Sequence, residues 1–222
     1  MFNLPYMDLV DKNIENYVES LSDSESPLLK EISGYTHKNV HQPRMLSGHI
    51  QGRILSFISK IISPKNILEI GTYTGYSALC LAEGLKDDGR LITIDKDKSL
   101  YETVNLFFKK SKFEKNIKQK VGIALEIIPT LDVKYDLVFI DADKKNYKNY
   151  FDMVIPKLNK GGVIIVDNVL WSGKVTQLDK YQNDKIAVYM NEFNNYIKNK
   201  KNISKLILPI RDGLTLIIKN ED

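Results

Sequence analysis

Hydrophobic positions along the chain change their period near residue 66. Before it, apolar residues recur at helical spacing. Leu9, Ile14, Tyr17, Val18 and Leu21 form one set, Leu28, Leu29, Ile32 and Tyr35 a second, and Ile50, Ile54, Leu55, Ile58, Ile61 and Ile62 a third. Residues 8–62 therefore read as helices, with Pro27 suited to a helix start and Pro43 to an interhelical turn. After residue 66, short apolar runs alternate with helical stretches. The runs at 66–70, 90–94, 135–140 and 163–166 read as strands, and 117–121 as a further short one. Helices are predicted over 76–85, 98–110 and 145–158.

These runs are apolar on both faces, as buried parallel strands are. Their alternation with helices predicts an α/β fold: a doubly wound, mostly parallel sheet, helices on both sides, and helices at the N-terminus. The end of the chain differs. A helix over 185–199 precedes runs at 203–208 and 214–218, separated by Arg211-Asp212-Gly213. So short a connection predicts an antiparallel hairpin closing the sheet. Residues 1–222 read as one domain, with 1–62 a helical segment packing on it.

Composition narrows the class. At 43% hydrophobic and 27% charged the chain is globular, and no apolar run approaches a membrane span. The N-terminus lacks a signal-peptide pattern, and the one cysteine, Cys80, excludes an internal disulfide framework or a cysteine-cluster metal site. A reducing cytoplasm is the expected compartment. Thirty-two basic residues against 28 acidic give a net charge of +4, and only Arg44, Arg53, Arg90 and Arg211 are arginines. Specific base readout leans on arginine, so no nucleic-acid partner is expected. The lysine runs at 109–112 and 198–201 read as solvated helix ends.

Ligands of open α/β sheets bind beyond the C-terminal ends of the strands. The first such end is Glu69-Ile70-Gly71-Thr72-Tyr73-Thr74-Gly75-Tyr76-Ser77. Its glycines permit a tight turn against a ligand. The dinucleotide fingerprint fails, because Tyr73 and Tyr76 stand where glycines belong, and no phosphate-loop Gly-Lys-Ser/Thr follows. What remains is a nucleoside with a different tail. Asp95, ending the second run, suits a ribose diol, and with Glu69 it suits a cationic tail. The alternative is that Glu69 and Asp95 only cap turns or helices.

The 135–140 run delivers Asp141-Ala142-Asp143-Lys144, and the 163–166 run delivers Asp167-Asn168. If these strands are neighbours, Asp141, Asp167 and Asn168 converge as three oxygen donors. Such a set suits a hard cation, magnesium or calcium (manganese also admissible) rather than zinc. The alternative is a pair of helix N-caps. His37, His41 and His49 lie in the N-terminal helical region with no nucleophile turn beside them, and read as ordinary surface or core residues. Cys80 reads as core. Trp171 suits either an aromatic pocket or packing.

Taken together, these residues resemble the cation-dependent O-methyltransferases, the caffeoyl-CoA and catechol O-methyltransferase family. The resemblance covers about residues 40–219. It rests on the 69–77 segment, on Asp141-Ala142-Asp143-Lys144 with Tyr147 and Tyr150, on Asp167-Asn168-Val169-Leu170-Trp171 with Gly173, and on Asp212-Gly213-Leu214-Thr215. It implies a seven-stranded class I methyltransferase fold, Rossmann-like, and a homodimer. It implies metal ligands at Asp141, Asp167 and Asn168, and S-adenosylmethionine contacts at Ser47, Glu69, Gly71, Thr72, Ser77, Asp95, Ala124, Asp143 and Tyr150. Lys144 matches the lysine proposed as general base in the catechol enzymes.

The implied chemistry is methyl transfer from a sulfonium to a phenolic oxygen of a small catechol-type acceptor. A phenol, with a pKa of about 10, is mostly protonated at neutral pH, so a cation and a base both help. Two rivals are distinguishable. A nicotinamide-dependent oxidoreductase would bind NADH but not S-adenosylhomocysteine. A non-catalytic or nucleic-acid-modifying relative would not methylate catechol in the absence of RNA or DNA.

Overall fold

A computed structural model describes residues 11–221 of the chain; Leu9 of the first apolar set lies outside them. Three helices come first: α1 (Lys12–Leu21), α2 (Pro27–Asn39) and α3 (Gly48–Ile62). Ser26 caps α2 by accepting from the Leu29 N–H at 3.2 Å, and Pro27 sits at its first turn, where no amide hydrogen is needed. Pro43 opens a 3₁₀ turn, Pro43–Met45, that swings the chain into α3. The first of these helices differs from the other two. The α1 stripe of Ile14, Tyr17, Val18 and Leu21 is exposed, and α1 buries none of its residues. Helical spacing defines an amphipathic face, not what covers it.

Seven strands form one sheet: β1 (Asn66–Ile70), β2 (Arg90–Asp95), β3 (Ile117–Val121), β4 (Tyr135–Ile140), β5 (Leu158–Val166), β6 (Ile203–Leu208) and β7 (Leu214–Lys219), in the order β3-β2-β1-β4-β5-β7-β6. β1 to β5 pair in parallel, and β7 runs antiparallel to both β5 and β6. The connections hold α4 (Tyr76–Ala82), α5 (Tyr101–Lys110), α6 (Ala124–Ile127), α7 (Tyr147–Val154) and α8 (Lys185–Lys198). The predicted 145–158 helix is shorter at both ends: a 3₁₀ turn at Lys144–Asn146 precedes it, and Pro156 cannot continue it, so a second 3₁₀ turn takes over at Ile155–Lys157. β5 begins five residues before the predicted 163, so Gly161 and Gly162 lie inside the strand, where its register with β4 shifts between Tyr135 and Leu137. The short helix α6 is not marked by the apolar pattern.

Alternate strand residues serve two cores. Leu68, Ile70, Val138 and Ile140 face α7 and α8, meeting Tyr147, Phe151, Met190 and Phe193. Ile67, Leu137, Phe139 and Ile165 face α2 to α5, meeting Leu29, Leu55, Leu81 and Phe107. Each large apolar side chain so buried contributes about 1.5–3 kcal/mol. The strand order reverses between β1 and β4, and at such a switch point the loops part to leave a crevice.

Candidate active site

The crevice starts at Gly71. Its N–H donates to the Ile94 carbonyl at 2.8 Å, and the Asp141 N–H donates to the Ile70 carbonyl at 2.8 Å, so the ends of β2, β1 and β4 lie abreast. Gly71 has φ +108°, and a Cβ there would stand 2.0 Å from the Asp141 carbonyl oxygen. No other residue fits. Ser47, Gly71, Thr72, Ser77 and Asp141 line one cleft.

Asp95 accepts from the Tyr73 N–H at 2.8 Å with one oxygen and from the Asp97 N–H at 2.9 Å with the other. The turn-capping role is therefore real. Each oxygen keeps a lone pair, so the cap also leaves acceptors toward the crevice. Gly122 N–H reaches the Asp95 carbonyl at 2.8 Å, which brings the start of α6, and Ala124, beside the β2 end. Across the crevice, Asp143 accepts from the Tyr150 hydroxyl at 2.5 Å and from the Asn146 amide.

Glu69 is fully buried. Thr93 Oγ1 lies 2.5 Å from Glu69 Oε2 and 2.5 Å from Thr72 Oγ1, while Glu69 Oε1 has no partner. Burial pushes the Glu69 carboxyl up to about 8, against the pull of the Thr93 hydrogen bond. Burial thus favours the protonated form of Glu69, and a cationic group beside it would favour the carboxylate.

At the other side of the switch point, the Asp167 N–H donates to the Ile140 carbonyl at 3.0 Å, so the β4 and β5 ends are adjacent. Burial first, and then the negative charge of Asp141, push the Asp167 carboxyl up to about 7. Lys144 Nζ lies 2.9 Å from Asp141 Oδ1. Burial opposes the lysine's charge, but Asp141, Tyr147 and Asp167 outweigh it and raise its pKa. Asn168 adopts φ +60°, a left-handed conformation that asparagine tolerates, at the strand's exit.

The structure thus brings Asp141, Asp167, Asn168 and Lys144 to one edge of the sheet, and of the residues matched to cofactor contacts Ser47, Gly71, Thr72 and Ser77 line the adjoining cleft. Among the described residues no group of three or more His, Cys, Asp or Glu has the arrangement of a metal site. The donor set here is two carboxylates and an amide, and its chemistry fits a hard cation: burial and the neighbouring Asp141 charge disfavour ionised Asp167, and a divalent ion would relieve that cost. His49 hydrogen-bonds the Asp23 carbonyl and His37 the Ser33 carbonyl, ordinary structural contacts. Cys80 is buried, and its thiol is pushed up to about 12 by burial.

Two groups had no functional reading in the sequence. Gln51, buried on α3, donates to Asp167 Oδ2 at 2.7 Å, and Arg211 donates to Gln51 Oε1 at 3.4 Å. Thr93 links Glu69 to Thr72. Both break an apolar stripe, Gln51 between Ile50 and Ile54 and Thr93 between Ile92 and Ile94, and a polar residue in such a stripe is the available signal.

A sheet of this order, parallel except for the reversed β7 set between β5 and β6, is the class I methyltransferase fold, in which S-adenosylmethionine serves as methyl donor. The chain belongs to the O-methyltransferase family, whose model matches residues 19–220. It is 34% identical over 207 residues to the caffeoyl-CoA O-methyltransferase of Medicago sativa, covering 89% of this chain and 83% of that one. It is 30% identical over 214 residues to probable caffeoyl-CoA O-methyltransferase 2 of Dictyostelium discoideum, covering 94% and 92%. Among solved structures it resembles the S-adenosylhomocysteine-bound methyltransferase PaMTH1 of Podospora anserina, with a TM-score of 0.87, 27% identity and 100% of both chains covered. It also resembles the O-methyltransferase TomG of Streptomyces achromogenes in complex with S-adenosylmethionine, with a TM-score of 0.86, 29% identity and 94% and 96% covered. No helix among the described residues is long and apolar enough to cross a membrane.

Proposed function

We propose that this O-methyltransferase acts on a hydroxyl of a small catechol-type acceptor, with a divalent cation, most simply Mg²⁺, held by Asp141, Asp167 and Asn168. The observation that carries the reading is the adjacency of Asp141 and Asp167 at neighbouring strand ends with Lys144 Nζ 2.9 Å from Asp141. S-adenosylmethionine supplies an electrophilic methyl group, and a bound cation supplies positive charge that favours an ionised hydroxyl.

The chain's own residues do the rest. Asp95 accepts from the ribose diol, and Glu69, Asp143 and Tyr150 border the nucleoside and its tail beside Ser47, Gly71, Thr72, Ser77 and Ala124. Lys144, one turn beyond Asp141, takes the acceptor's proton at Nζ. Its raised pKa makes it a charged partner of Asp141 at rest, so Nζ must first pass its own proton to solvent before it can take the acceptor's. The names of the relatives make caffeoyl-CoA an acceptor to be tested beside free catechols. A homodimer in the cytoplasm belongs to the same reading, and light scattering on the purified protein tests the dimer.

The decisive assay is methyl transfer from S-adenosylmethionine to catechol, caffeoyl-CoA, a flavonoid and a monophenol, with Mg²⁺ and with EDTA. EDTA abolishes turnover, Mg²⁺ restores it, and the monophenol is a poor acceptor. Full activity on the monophenol in EDTA would defeat the reading.

A further inference from the structure

The geometry points to the Arg211-Asp212-Gly213 turn, between β6 and β7, as the frame that orients both donors at the end of β5; Arg211, Asp212 and Gln51 are positioning residues. This goes beyond the proposed cation site and rests on it.

One arm runs through α3. Arg211 Nη1 donates to the Leu46 carbonyl at 3.0 Å and to Gln51 Oε1 at 3.4 Å, and Gln51 Nε2 donates to Asp167 Oδ2 at 2.7 Å. A primary amide has one accepting end and one donating end. Guanidinium can only donate, so it claims the Gln51 oxygen and leaves the NH₂ group for Asp167. The second Asp167 oxygen is held by the Asn168 N–H at 2.6 Å. Asp167 is thereby fixed in rotation by two donors, one of them oriented by a charge 44 residues further along the chain.

The other arm uses the opposite charge. Asp212 Oδ2 accepts from Asn168 Nδ2 at 3.5 Å, and Asp212 Oδ1 accepts from the Ser172 N–H. A carboxylate can only accept, so Asn168 turns its NH₂ toward Asp212 and its Oδ1 away, free to donate to a cation. The backbone holds the same register: Leu170 N–H reaches the Asp212 carbonyl at 2.9 Å and Val169 N–H the Gly213 carbonyl at 3.2 Å. A Cβ on Gly213 would lie 2.5 Å from Leu170 Cγ, so the turn is pressed against the loop it orients. A cation aims one amide and an anion aims the other, from a single turn.

Asp212→Asn tests this with little change of shape. It keeps an acceptor for Ser172 but can offer NH₂ to Asn168, which then turns its own oxygen inward. Arg211→Met keeps the side-chain stem and removes the donors that orient Gln51. Each full-length variant, saturated with S-adenosylhomocysteine, is titrated with Mn²⁺ by electron paramagnetic resonance. S-adenosylhomocysteine affinity is measured by calorimetry and the thermal midpoint by circular dichroism. Both variants weaken Mn²⁺ binding, by about 10- to 100-fold for loss of an outer orienting partner; S-adenosylhomocysteine affinity stays within about twofold in Asp212→Asn, whose side chain meets Asn168 and Ser172, whereas Arg211→Met also releases the Leu46 carbonyl at the cleft.

Unchanged Mn²⁺ affinity in the folded variants overturns the inference, as does a parallel loss of Mn²⁺ affinity, S-adenosylhomocysteine affinity and midpoint, which would mean general loosening. If Asp212→Asn does not fold, Arg211→Met decides alone. A wild-type protein that binds no Mn²⁺ overturns the cation site itself, and this inference with it, a result distinct from an unaffected variant.

Discussion

Gly71 and Asp141 are in backbone contact across the switch point: a Cβ on residue 71 would sit 2.0 Å from the carbonyl oxygen of residue 141. The turn that opens the cofactor cleft and the strand end that carries the first acidic donor therefore cannot move apart or together independently. Gly71→Ala introduces both that overlap and a strained φ of +108°. A cost above about 4 kcal/mol is expected, a large part of the roughly 5–15 kcal/mol available to a domain. Chemical denaturation checks it. A variant with wild-type stability and wild-type S-adenosylhomocysteine affinity would show that the contact is not needed.

The Glu69 carboxyl makes the cofactor-free protein sensitive to pH. Its folded pKa of about 8 lies above its ordinary value of 4.5, so the folded state binds the extra proton between those limits. Stability is fully present below about pH 4.5 and is lost as pH rises through about 8. Glu69→Gln removes that dependence and flattens the midpoint-versus-pH curve over this window. Equal slopes for the two proteins would show that Glu69 does not titrate there.

Asp95 caps a turn, and two substitutions test its proposed second duty toward the ribose. Asp95→Ala removes the acceptors for the Tyr73 and Asp97 amides as well as those facing the crevice. S-adenosylhomocysteine binding should weaken by about 1–3 kcal/mol, roughly five- to 150-fold. Asp95→Asn retains one oxygen and should fall between Ala and wild type. Calorimetry showing unchanged affinity in both would leave Asp95 as a turn cap alone.

Lys144→Met keeps the length of the side chain and removes the nitrogen beside Asp141. If Lys144 takes the proton, kcat drops by about 10²–10⁴-fold while S-adenosylhomocysteine still binds. The loss shrinks for catechols with electron-withdrawing groups, whose hydroxyls ionise unaided. A change of less than about threefold across a graded acceptor series, the size usual at surface positions, would reduce Lys144 to a structural ion-pair partner.

The strand ends that carry these residues were legible because buried parallel strands leave unbroken apolar runs, and a run that ends in Asp or Asn marks the edge where ligands bind. Asp141 and Asp167 were found this way without knowing that β4 and β5 pair. Gln51 was not. It sits 116 residues from Asp167 in the chain, and only the packing of α3 over the sheet brings them together. The exposure of one face of α1 was not legible for the related reason that periodicity carries no information about the partner surface. The early end of α7 was legible in principle: Pro156 was in the sequence, and its missing amide hydrogen stops the helix.

The placement of β7 has a consequence for how the molecule is made. β7 is the last strand in chain order, yet it lies inside the sheet, between β5 and β6. While the chain emerges from the ribosome, β5 carries an open edge and the loop after it lacks the turn at 211–213 that grips it. The pairing that closes this edge joins residues such as Val166 and Thr215, far apart in sequence, and such contacts form late and slowly. A nascent chain is thus most prone to join strands with a neighbour before β7 has emerged, and the loop after β5 is gripped only once that strand is in place.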